Sequence, residues 1–480
     1  MNQRKKHLIA WAQRSVALLI LLAMLLSLGS CFVIDLTRAS SKEEIEANVA
    51  ATLEGEGKNY SYVSDYLNYW RVPLFDSIKF RWVEAVYKTY YNYEDGLPNT
   101  LEHATATVGA FLEHYYREIN LGSKSDVTDA LISCYVGTIG DKYSIYRTAK
   151  ESGSYTEDMS GSFAGIGIQV EYNTETNVAT IISVFLDSPA EEAGFKVGDV
   201  VRAVDGVSID EVGYTECMNR IRGKIGTNVT VTVKRGEALV NLTATRRQIT
   251  EKTIQSKITD EGYGYIVITD FKDNTAEQFS IAIEQMKAAG VKGIVFDLRN
   301  NPGGYVHTVS AMLSYILPSG LDIMSYQYKG RARTVIQSVT DSVPILDEDG
   351  KQKTDDKGNP LFEEKDSTLD IPITVICNEY TASSAEIFTS AIRDHRNNGV
   401  LNATIVGTTT YKKGIMQSTF SYSDGSSVTL TIAYYAPPSG VNYHGVGVEP
   451  DVTVELEGDS DLQYDVAIEE LKKLINANNS

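Results

Sequence analysis

The chain has 480 residues, of which 42% are apolar and 22% charged, a composition typical of globular domains rather than of a disordered chain. This length predicts about three domains. Lys and Arg number 44 against 63 Asp and Glu, which gives a formal net charge of −19. That acidity argues against a nucleic-acid partner, because proteins that bind nucleic acids present a basic surface. The four cysteines show no metal-ligand spacing, so neither a zinc site nor a dense disulfide framework is expected.

The N-terminus joins a basic leader to a long apolar run. Residues 15–34 carry no charge and follow a leader that contains Arg4, Lys5, Lys6 and Arg14. A run of about 20 apolar residues can cross a bilayer, and basic residues hold their flank in the cytoplasm. This pattern predicts that residues 1–34 are a membrane anchor or signal segment and that the rest of the chain is extracytoplasmic, at the cell membrane.

Three interpretations of this segment stay open. It is a single-pass transmembrane anchor, a signal that is cleaved, or a lipoprotein signal. The third interpretation depends on Leu28-Gly29-Ser30-Cys31, which is similar to a lipobox and would make Cys31 the lipidated residue.

The next part of the chain changes character twice. Residues 35–152 are predicted to be a mostly helical N-terminal region, and the Ser- and Gly-rich residues 151–161 are predicted to be a linker. Residues 155–250 contain short β-branched runs between turns, such as 180–184 and 229–233. That pattern predicts a small β-rich domain.

Residues 251–456 have the pattern of an α/β domain. Apolar strands are predicted at residues 264–268, 293–296, 373–377 and 404–406. Asn274 and Glu277 have the spacing of a capping box, and Gly290 is predicted to end the helix that follows them. Alternating strands and helices predict a layered sheet flanked by helices. Residues 330–370 are predicted to form a long exposed hairpin, either a solvated insertion or a substrate gate, and residues 457–480 a helical tail.

The β-rich segment resembles a PDZ domain. The matching residues, in order, are Gly165-Ile166-Gly167-Ile168, Ser188-Pro189-Ala190, Ala193-Gly194-Phe195, Gly198-Asp199, Val204-Asp205-Gly206 and Ile221-Arg222-Gly223. PDZ domains bind a peptide C-terminus as an added strand, with loop amides holding its carboxylate. The resemblance implies that this carboxylate loop is Gly165 to Ile168.

Three segments of the α/β domain follow predicted strands and carry polar side chains. They are Asp297-Leu298-Arg299-Asn300-Asn301-Pro302-Gly303-Gly304, Asn378-Glu379-Tyr380-Thr381-Ala382-Ser383-Ser384-Ala385-Glu386 and Tyr411-Lys412-Lys413-Gly414-Ile415-Met416-Gln417. Paired glycines expose backbone N–H groups that can hold an oxyanion, and serines in the first turn of a helix lie at its positive end. Lys413 and Gln417 are four residues apart, so on a strand they would share a face. Taken singly, each segment also fits a helix cap, a surface lysine or a turn.

Together and in this order, the segments resemble the carboxyl-terminal processing serine peptidases, also called tail-specific proteases. The resemblance extends from about residue 126 to residue 451. It includes Gly140-Asp141-Lys142-Tyr143-Ser144 and Gly447-Val448-Glu449-Pro450-Asp451. It implies a multidomain α+β chain with an N-terminal helical region, a PDZ domain and a peptidase core of the ClpP/crotonase-like kind.

The resemblance also implies a Ser/Lys dyad. The implied roles are nucleophile for Ser383, general base for Lys413, orienting amide for Gln417, and oxyanion donors for the backbone N–H groups of Ser384, Gly303 and Gly304. Lys412 stands where the family has a glycine and is a nearby alternative base. An ammonium cannot accept a proton, so Lys413 has to be largely neutral when it acts, and a dry pocket favours the neutral form of a lysine.

The predicted function is therefore an extracytoplasmic serine endopeptidase that cuts protein substrates near their C-termini, with the PDZ domain capturing the free tail. No cofactor, metal or nucleic acid is expected, because no P-loop or ligand cluster is present. The N-terminal segment makes the membrane a partner, and a homo-oligomer is compatible with the sequence. One alternative is a catalytically inactive PDZ scaffold. An esterase is disfavoured because no GxSxG nucleophile elbow occurs.

Overall fold

The computed structural model describes residues 77–92, 124–137, 141–173, 176–185, 187–344, 362–365, 369–455 and 461–478. The predicted segment 1–34, including Cys31, lies outside them. The chain forms two compact units. The β-rich unit is Ser154–Lys252, and the α/β unit combines the described residues up to Gly153 with those from Thr253 onward. The predicted multidomain α+β architecture is confirmed.

The helices of the described residues are α1 (Ser77–Tyr90), α2 (Lys124–Gly137), α3 (Ala149–Met159), α4 (Pro189–Ala193), α5 (Ile209–Ile221), α6 (Thr275–Ala288), α7 (Val306–Ser314), α8 (Ser384–Asn397) and α9 (Leu462–Asn478). The strands are β1 (Ile145–Arg147), β2 (Ser162–Gly165), β3 (Ile168–Asn173), β4 (Val178–Val184), β5 (Val200–Val204), β6 (Val207–Ser208), β7 (Asn228–Arg235), β8 (Ala238–Thr245), β9 (Arg247–Thr250), β10 (Ile254–Ile258), β11 (Gly264–Ile268), β12 (Ile294–Asp297), β13 (Asp322–Tyr328), β14 (Arg333–Gln337), β15 (Asp341–Pro344), β16 (Phe362–Lys365), β17 (Ile373–Cys377), β18 (Ala403–Gly407), β19 (Ile415–Ser421), β20 (Ser427–Ala436) and β21 (Val452–Thr453).

The main sheet of the α/β unit has the strand order β10-β11-β12-β17-β18-β21. In this sheet each strand from β11 onward, namely β11, β12, β17, β18 and β21, is parallel to its neighbour. Strand β10 is antiparallel to β11. Every residue of β12, β17 and β18 is buried, which explains their continuous apolar sequences. On one face Phe296 packs with Phe279 and Phe388 of the flanking helices. On the other face Val295 packs with Leu471 of α9, so the predicted helical tail covers this sheet.

A second sheet of the same unit has the order β1-β20-β13-β14, with β19 also paired to β20. Helices α1 and α2 contribute Phe80 and Tyr135 to the same core as Val428 of β20. The buried Lys79 on α1 forms ion pairs with Asp129 (2.6 Å) and Asp424 (2.7 Å). The described N-terminal helices are therefore part of the α/β unit rather than a separate domain.

The β-rich unit has a sheet of order β3-β4-β5-β7-β8, with β6 paired to β5, and a separate β2–β9 pair. Alternate residues of β7, such as Val229, Val231 and Val233, are buried in its core together with Ile209 and Ile221 of α5. This period of two is the pattern of a sheet that is covered on one face.

Residues 151–161, predicted to be a linker, contain the boundary between the two units after Gly153, but most of them are helical because α3 covers them. The N–H and Oγ1 of Thr148 donate to Oε2 of Glu151 (2.8 and 2.9 Å), and the N–H of Glu151 donates back to Oγ1 of Thr148 (3.3 Å). This reciprocal capping stabilises the first turn and offsets the low helix propensity of Gly153.

The capping box predicted at Asn274 is wrong. Asn274 has a helical backbone, and its side chain makes no capping hydrogen bond. Instead, Oγ1 of Thr275 accepts the N–H of Lys272 (3.0 Å). Gly290 adopts a positive φ of 64° just after α6, as predicted for a helix end. In residues 330–370, β14 pairs antiparallel with β13, which precedes this range, and β15 pairs antiparallel with β16. Residues 345–361 lie outside the described ranges.

Candidate active site

Three loops meet at the carboxyl edge of the main sheet. Strands β12, β17 and β18 are parallel neighbours, so their carboxyl ends lie side by side. The loops that follow them are residues 298–304, 378–383 and 408–414. The N–H of Ala382 donates to the carbonyl of Asn301 (2.9 Å), and the N–H of Tyr411 donates to the carbonyl of Thr381 (3.0 Å). The structure therefore brings the three predicted segments together.

Ser383 lies at the junction of the β17 loop and α8. Its backbone has φ 55° and ψ −116°, outside the regions that serine usually occupies. A strained backbone of this kind costs about 1–3 kcal/mol, and such residues cluster at active sites. A sharp, strained strand-to-helix turn is also how α/β-hydrolases expose a nucleophilic serine. The geometry is that expected of a nucleophile.

Glu386 joins the Ser383 turn to the β18 loop. Its side chain is fully buried, and its Oε2 accepts the N–H groups of Ser383 (2.9 Å) and Lys413 (2.8 Å). Its Oε1 accepts Oγ1–H of Thr410 (2.6 Å) and the N–H of Lys412 (2.8 Å). Burial raises the pKa of Glu386, and the donated hydrogen bonds act in the opposite direction. All four partners are donors, so the ionised carboxylate satisfies every one of them.

Lys413 lies in the β18 loop, two residues before β19 begins. Its Nζ is 4.9 Å from the centroid of the Tyr143 ring, and its carbonyl accepts the phenol of Tyr435 (2.5 Å). Burial raises the pKa of Tyr435, and the negative charge of Glu386 raises it further. The buried Tyr435 therefore holds the Lys413 backbone through its phenol. Lys412, the alternative base, is exposed and has a positive φ of 82°.

The prediction that the side chains of Lys413 and Gln417 lie on the same face of one strand is wrong. Lys413 precedes β19, and the strand has a bulge between Met416 and Gln417, so alternation does not relate the two side chains. Gln417 lies opposite Thr431 of β20, and its Nε2 donates to Oγ1 of Thr431 (3.4 Å). The role of Gln417 as an orienting amide stays a prediction.

Two of the three predicted oxyanion donors are available. The N–H of Ser384, which is fully buried at the start of α8, and the N–H of Gly304 are hydrogen-bonded to no acceptor in the described parts of the chain. Gly303 is different, because its N–H donates to Oδ1 of Asn301 (2.8 Å). A Cβ on Gly303 would lie 2.8 Å from Cβ of Ser383 and 2.9 Å from the nitrogen of Ser384. The space beside the Ser384 N–H therefore requires glycine at position 303.

The predicted carboxylate loop of the β-rich unit also presents backbone donors. Gly165 ends β2 and Ile168 begins β3, which leaves Ile166 and Gly167 between the strands. Neither the N–H of Ile166 nor that of Gly167 is hydrogen-bonded to an acceptor among the described residues. Gly167 has a φ of +83°, and a Cβ there would lie 2.4 Å from Cβ of Ser188. Only glycine fits this turn.

The strand that follows this loop, β3, carries partly buried apolar side chains and a free edge. No described strand pairs with the second side of β3, which forms an edge of its sheet. Helix α5 breaks at Gly213 (φ 78°), and the ring of Tyr214 that follows stacks on Tyr172 of β3, with centroids 4.4 Å apart. The Tyr214 phenol donates to the carbonyl of Val170 (3.4 Å), and burial raises the pKa of that phenol. A strand added to β3 would meet Tyr214.

Sequence reasoning missed Tyr143 and Tyr435. Tyr143 belonged to a family motif without an assigned role, and Tyr435 is one of two adjacent tyrosines on a strand and gave no signal. The histidines nearest the loops have structural partners: Nε2 of His307 lies 3.0 Å from Asp273, and Nδ1 of His444 accepts the N–H of Gly414 (3.2 Å).

The cysteine and acidic side chains of the described residues show no second reactive centre. Burial raises the pKa of the Cys377 thiol, which is unpaired, to about 12, so it is not a thiolate at neutral pH. Across the described ranges there is no group of three His, Cys, Asp or Glu side chains that could hold a metal ion. Within those same ranges, no helix combines the length and the apolar character needed to cross a membrane.

Comparison with known proteins gives matches to both units. Residues 262–454 match the model of Peptidase family S41, and residues 164–245 match that of a PDZ domain. The carboxy-terminal processing protease CtpA of Bacillus subtilis is 32% identical over 339 residues, which are 70% of this chain and 66% of the relative. A probable CtpA-like serine protease of Staphylococcus haemolyticus is 33% identical over 340 residues, 71% of this chain and 62% of the relative. The chain thus spans just under two thirds of the length of these relatives. The solved photosystem II D1 C-terminal processing protease aligns with 79% of this chain and 94% of its own, at a TM-score of 0.44 and 22% identity.

Proposed function

Because residues 262–454 belong to peptidase family S41 and residues 164–245 to the PDZ domains, we propose that this chain is a serine endopeptidase that cuts proteins near their C-termini. The observation that carries the proposal is that one oxygen of the buried Glu386 carboxylate accepts the backbone N–H groups of both Ser383 and Lys413. This shared acceptor holds the two residues close together. Ser383 immediately precedes Ser384, whose N–H is buried and has no acceptor among the described residues.

The proposed reaction is acyl transfer through Ser383. The neutral amine of Lys413 takes the proton of the Ser383 hydroxyl while Oγ bonds to the scissile carbonyl carbon. The N–H groups of Ser384 and Gly304 stabilise the oxyanion that forms. The Lys413 ammonium then gives its proton to the leaving amine, and the peptide bond breaks. Water, deprotonated by Lys413, hydrolyses the acyl ester and restores Ser383.

The PDZ domain is proposed to hold the free C-terminus of the substrate. The N–H groups of Ile166 and Gly167 suit a carboxylate, and the free edge of β3 suits an added strand. Partly buried apolar residues beside that edge, such as Ile168 and Met218, favour an apolar final side chain. Substrates are therefore proteins or peptides with free C-termini.

The site of action is proposed to be the outer side of the cell membrane. The support is the basic leader and the uncharged run of residues 15–34, which lie outside the described residues. A reporter fused after Asp35 should be active only in an extracytoplasmic compartment. A cytoplasmic signal from that fusion would overturn this location.

The dyad is tested with Ser383→Ala, Lys413→Ala and the matched control Lys412→Ala. Degradation of β-casein, followed by mass spectrometry of the fragments, should be lost in the first two variants and largely retained in the third. Activity in Lys413→Ala together with loss in Lys412→Ala would assign the base to Lys412. If the folded wild-type protein neither cleaves casein nor reacts with a fluorophosphonate, the alternative of an inactive PDZ scaffold is favoured.

A further inference from the structure

The loop of residues 141–144 precedes the PDZ domain in sequence, yet it lies at the proposed dyad. Asp141 is buried, and its carboxylate accepts the N–H of Tyr143 (2.9 Å) and Oγ–H of Ser144 (2.6 Å). Ser144 in turn accepts the N–H of Thr431 on β20 (3.2 Å). The two polar residues therefore fix the loop to the strand that faces Gln417, and the Tyr143 side chain between them lies against Lys413.

We infer that Tyr143 is a positioning residue for the Ser/Lys reaction, whose ring face stabilises the ammonium that Lys413 becomes. The inference rests on the proposed dyad. The Lys413 Nζ is 4.9 Å from the ring centroid, within the distance of about 6 Å at which a cation is attracted to an aromatic face. A neutral amine gains little from the ring, so the contact favours the state in which Lys413 holds the proton of Ser383.

The groups around Lys413 make the effect of the ring separable from that of other charges. The Glu386 carboxylate and the Tyr435 phenol both hydrogen-bond to the backbone of Lys413. The His444 ring is in edge contact with Tyr143, with centroids 6.5 Å apart. The ammonium of Lys142 lies 5.0 Å from the same Tyr143 ring, and Lys412 is the exposed neighbour in sequence. Substituting Tyr143 with an apolar residue leaves all these charges in place.

The contact has opposite effects on two steps. It makes deprotonation of Lys413 in the resting enzyme harder, and it makes the transfer of the serine proton to the amine easier. Removing the ring face while keeping an apolar side chain should therefore shift the acidic limb of the pH–rate profile downward by about half a pH unit or more. The maximal rate above that limb should fall, because the ammonium formed during attack loses its partner.

The test is the rate constant for labelling of Ser383 by a fluorophosphonate between pH 5 and pH 10, in the full chain. Tyr143→Phe keeps the ring face and should keep the wild-type limb. Tyr143→Leu should move the limb downward and reduce the plateau about three- to tenfold. Tyr328→Leu, a half-buried tyrosine of β13 in the same unit, serves as the control and should leave the limb unchanged. If Tyr143→Leu does not fold, Tyr143→Met, which is unbranched and apolar, replaces it.

Two outcomes would overturn the inference. If the acidic limb of the pH–rate profile is unshifted in folded Tyr143→Leu, the ring does not stabilise the ammonium. If the limb shifts equally in Tyr143→Phe, the effect belongs to the hydroxyl. Lys413→Ala in the same assay separates this failure from that of the proposed function. Labelling that persists in Lys413→Ala contradicts the dyad itself, whereas loss in Lys413→Ala with an unshifted Tyr143→Leu contradicts only the role of Tyr143.

Discussion

Two candidate binding sites in the described residues, one in each unit, present unpartnered backbone N–H groups, and these groups are held in different ways. In the β-rich unit the donors of Ile166 and Gly167 lie in a two-residue loop between strands, closed by a glycine against Ser188. In the α/β unit the donors of Ser384 and Gly304 come from two different loops. There the buried carboxylate of Glu386 holds the serine turn to a third loop.

The difference follows from the charge that each loop is proposed to hold. A substrate carboxylate is ionised before it binds, so its donors need only be exposed and close together. An oxyanion exists only during the reaction, so its donors must already be fixed when it forms. Fixing them explains the strained Ser383 backbone and the four hydrogen bonds to one buried carboxylate.

The largest expected effect is at the proposed oxyanion site. Gly303→Ala introduces a Cβ between Ser383 and the Ser384 nitrogen, so fluorophosphonate labelling and casein cleavage should fall by about 10²–10³-fold. Gly320→Ala is the matched control, since Gly320 also has a positive φ but no atom within 4 Å of its Cβ position. Equal losses in both variants would attribute the effect to backbone strain alone.

Glu386→Gln tests the hydrogen bonds by which the Glu386 carboxylate holds the same site together. A glutamine amide places N–H groups against two donors that the carboxylate accepts, which should cost about 2–4 kcal/mol and reduce activity about 10–100-fold. Melting temperature and casein cleavage measure the two effects. Glu379→Gln, an exposed glutamate of the neighbouring loop that accepts Oγ1–H of Thr408, should change neither appreciably. Wild-type activity in Glu386→Gln would contradict the role of Glu386 in positioning Ser383 and Lys413.

The same variant has a pH signature. Burial raises the pKa of Glu386 above its ordinary value of 4.5, so the folded protein binds this proton more readily than the unfolded chain. The part of the stability that depends on protonation of Glu386 is therefore fully present below pH 4.5 and is lost as the pH rises through the folded-state pKa, whereas the hydrogen bonds that the carboxylate accepts remain. The gap in melting temperature between wild type and Glu386→Gln should be larger at pH 5 than at pH 8. A gap independent of pH would contradict the raised pKa.

A smaller effect is expected at the PDZ loop. In the inactive Ser383→Ala background, peptides with a free apolar C-terminus should bind about 10- to 150-fold more tightly than the same peptides amidated. Gly167→Ala should remove most of that preference by its contact with Ser188, whereas Gly206→Ala, also at a positive φ but in open space, should keep it. Calorimetry measures both affinities. Equal affinity for free and amidated peptides in the unmodified loop would make the domain a spacer.

The smallest effect concerns Tyr214. Tyr214→Phe removes the phenol that donates to Val170, a carbonyl on the free edge of β3, so free-tail peptides should bind about two- to fivefold more tightly. Tyr172→Phe is the control, because the Tyr172 phenol hydrogen-bonds to Asn177 and not to the strand edge. Weaker binding in Tyr214→Phe would mean that the phenol assists the peptide.

The sequence by itself determined the layers and predicted which loops meet at the carboxyl edge of the main sheet. The continuous apolar runs of β12, β17 and β18 predicted buried parallel strands, because only such strands have no polar face. Parallel neighbours end at one edge, so the loops after them had to meet, and the family motifs assigned Ser383 and Lys413 to those loops. Local patterns were less reliable at residues 151–161, where the capping contacts between Thr148 and Glu151 produce a helix in a Ser- and Gly-rich segment.

Only the tertiary structure decided how the reactive groups are held. Because β19 has a bulge before Gln417, the four-residue spacing does not put Gln417 on the same face as Lys413. The N–H of Gly303 donates to the Asn301 side chain and is therefore not available to an oxyanion. Tyr143 reaches Lys413 from a loop some 270 residues earlier in sequence. Contacts of this kind depend on burial and on hydrogen bonds between distant segments. They leave no periodic signal in the sequence, because each is made by a single side chain whose partner is fixed only when the sheet assembles.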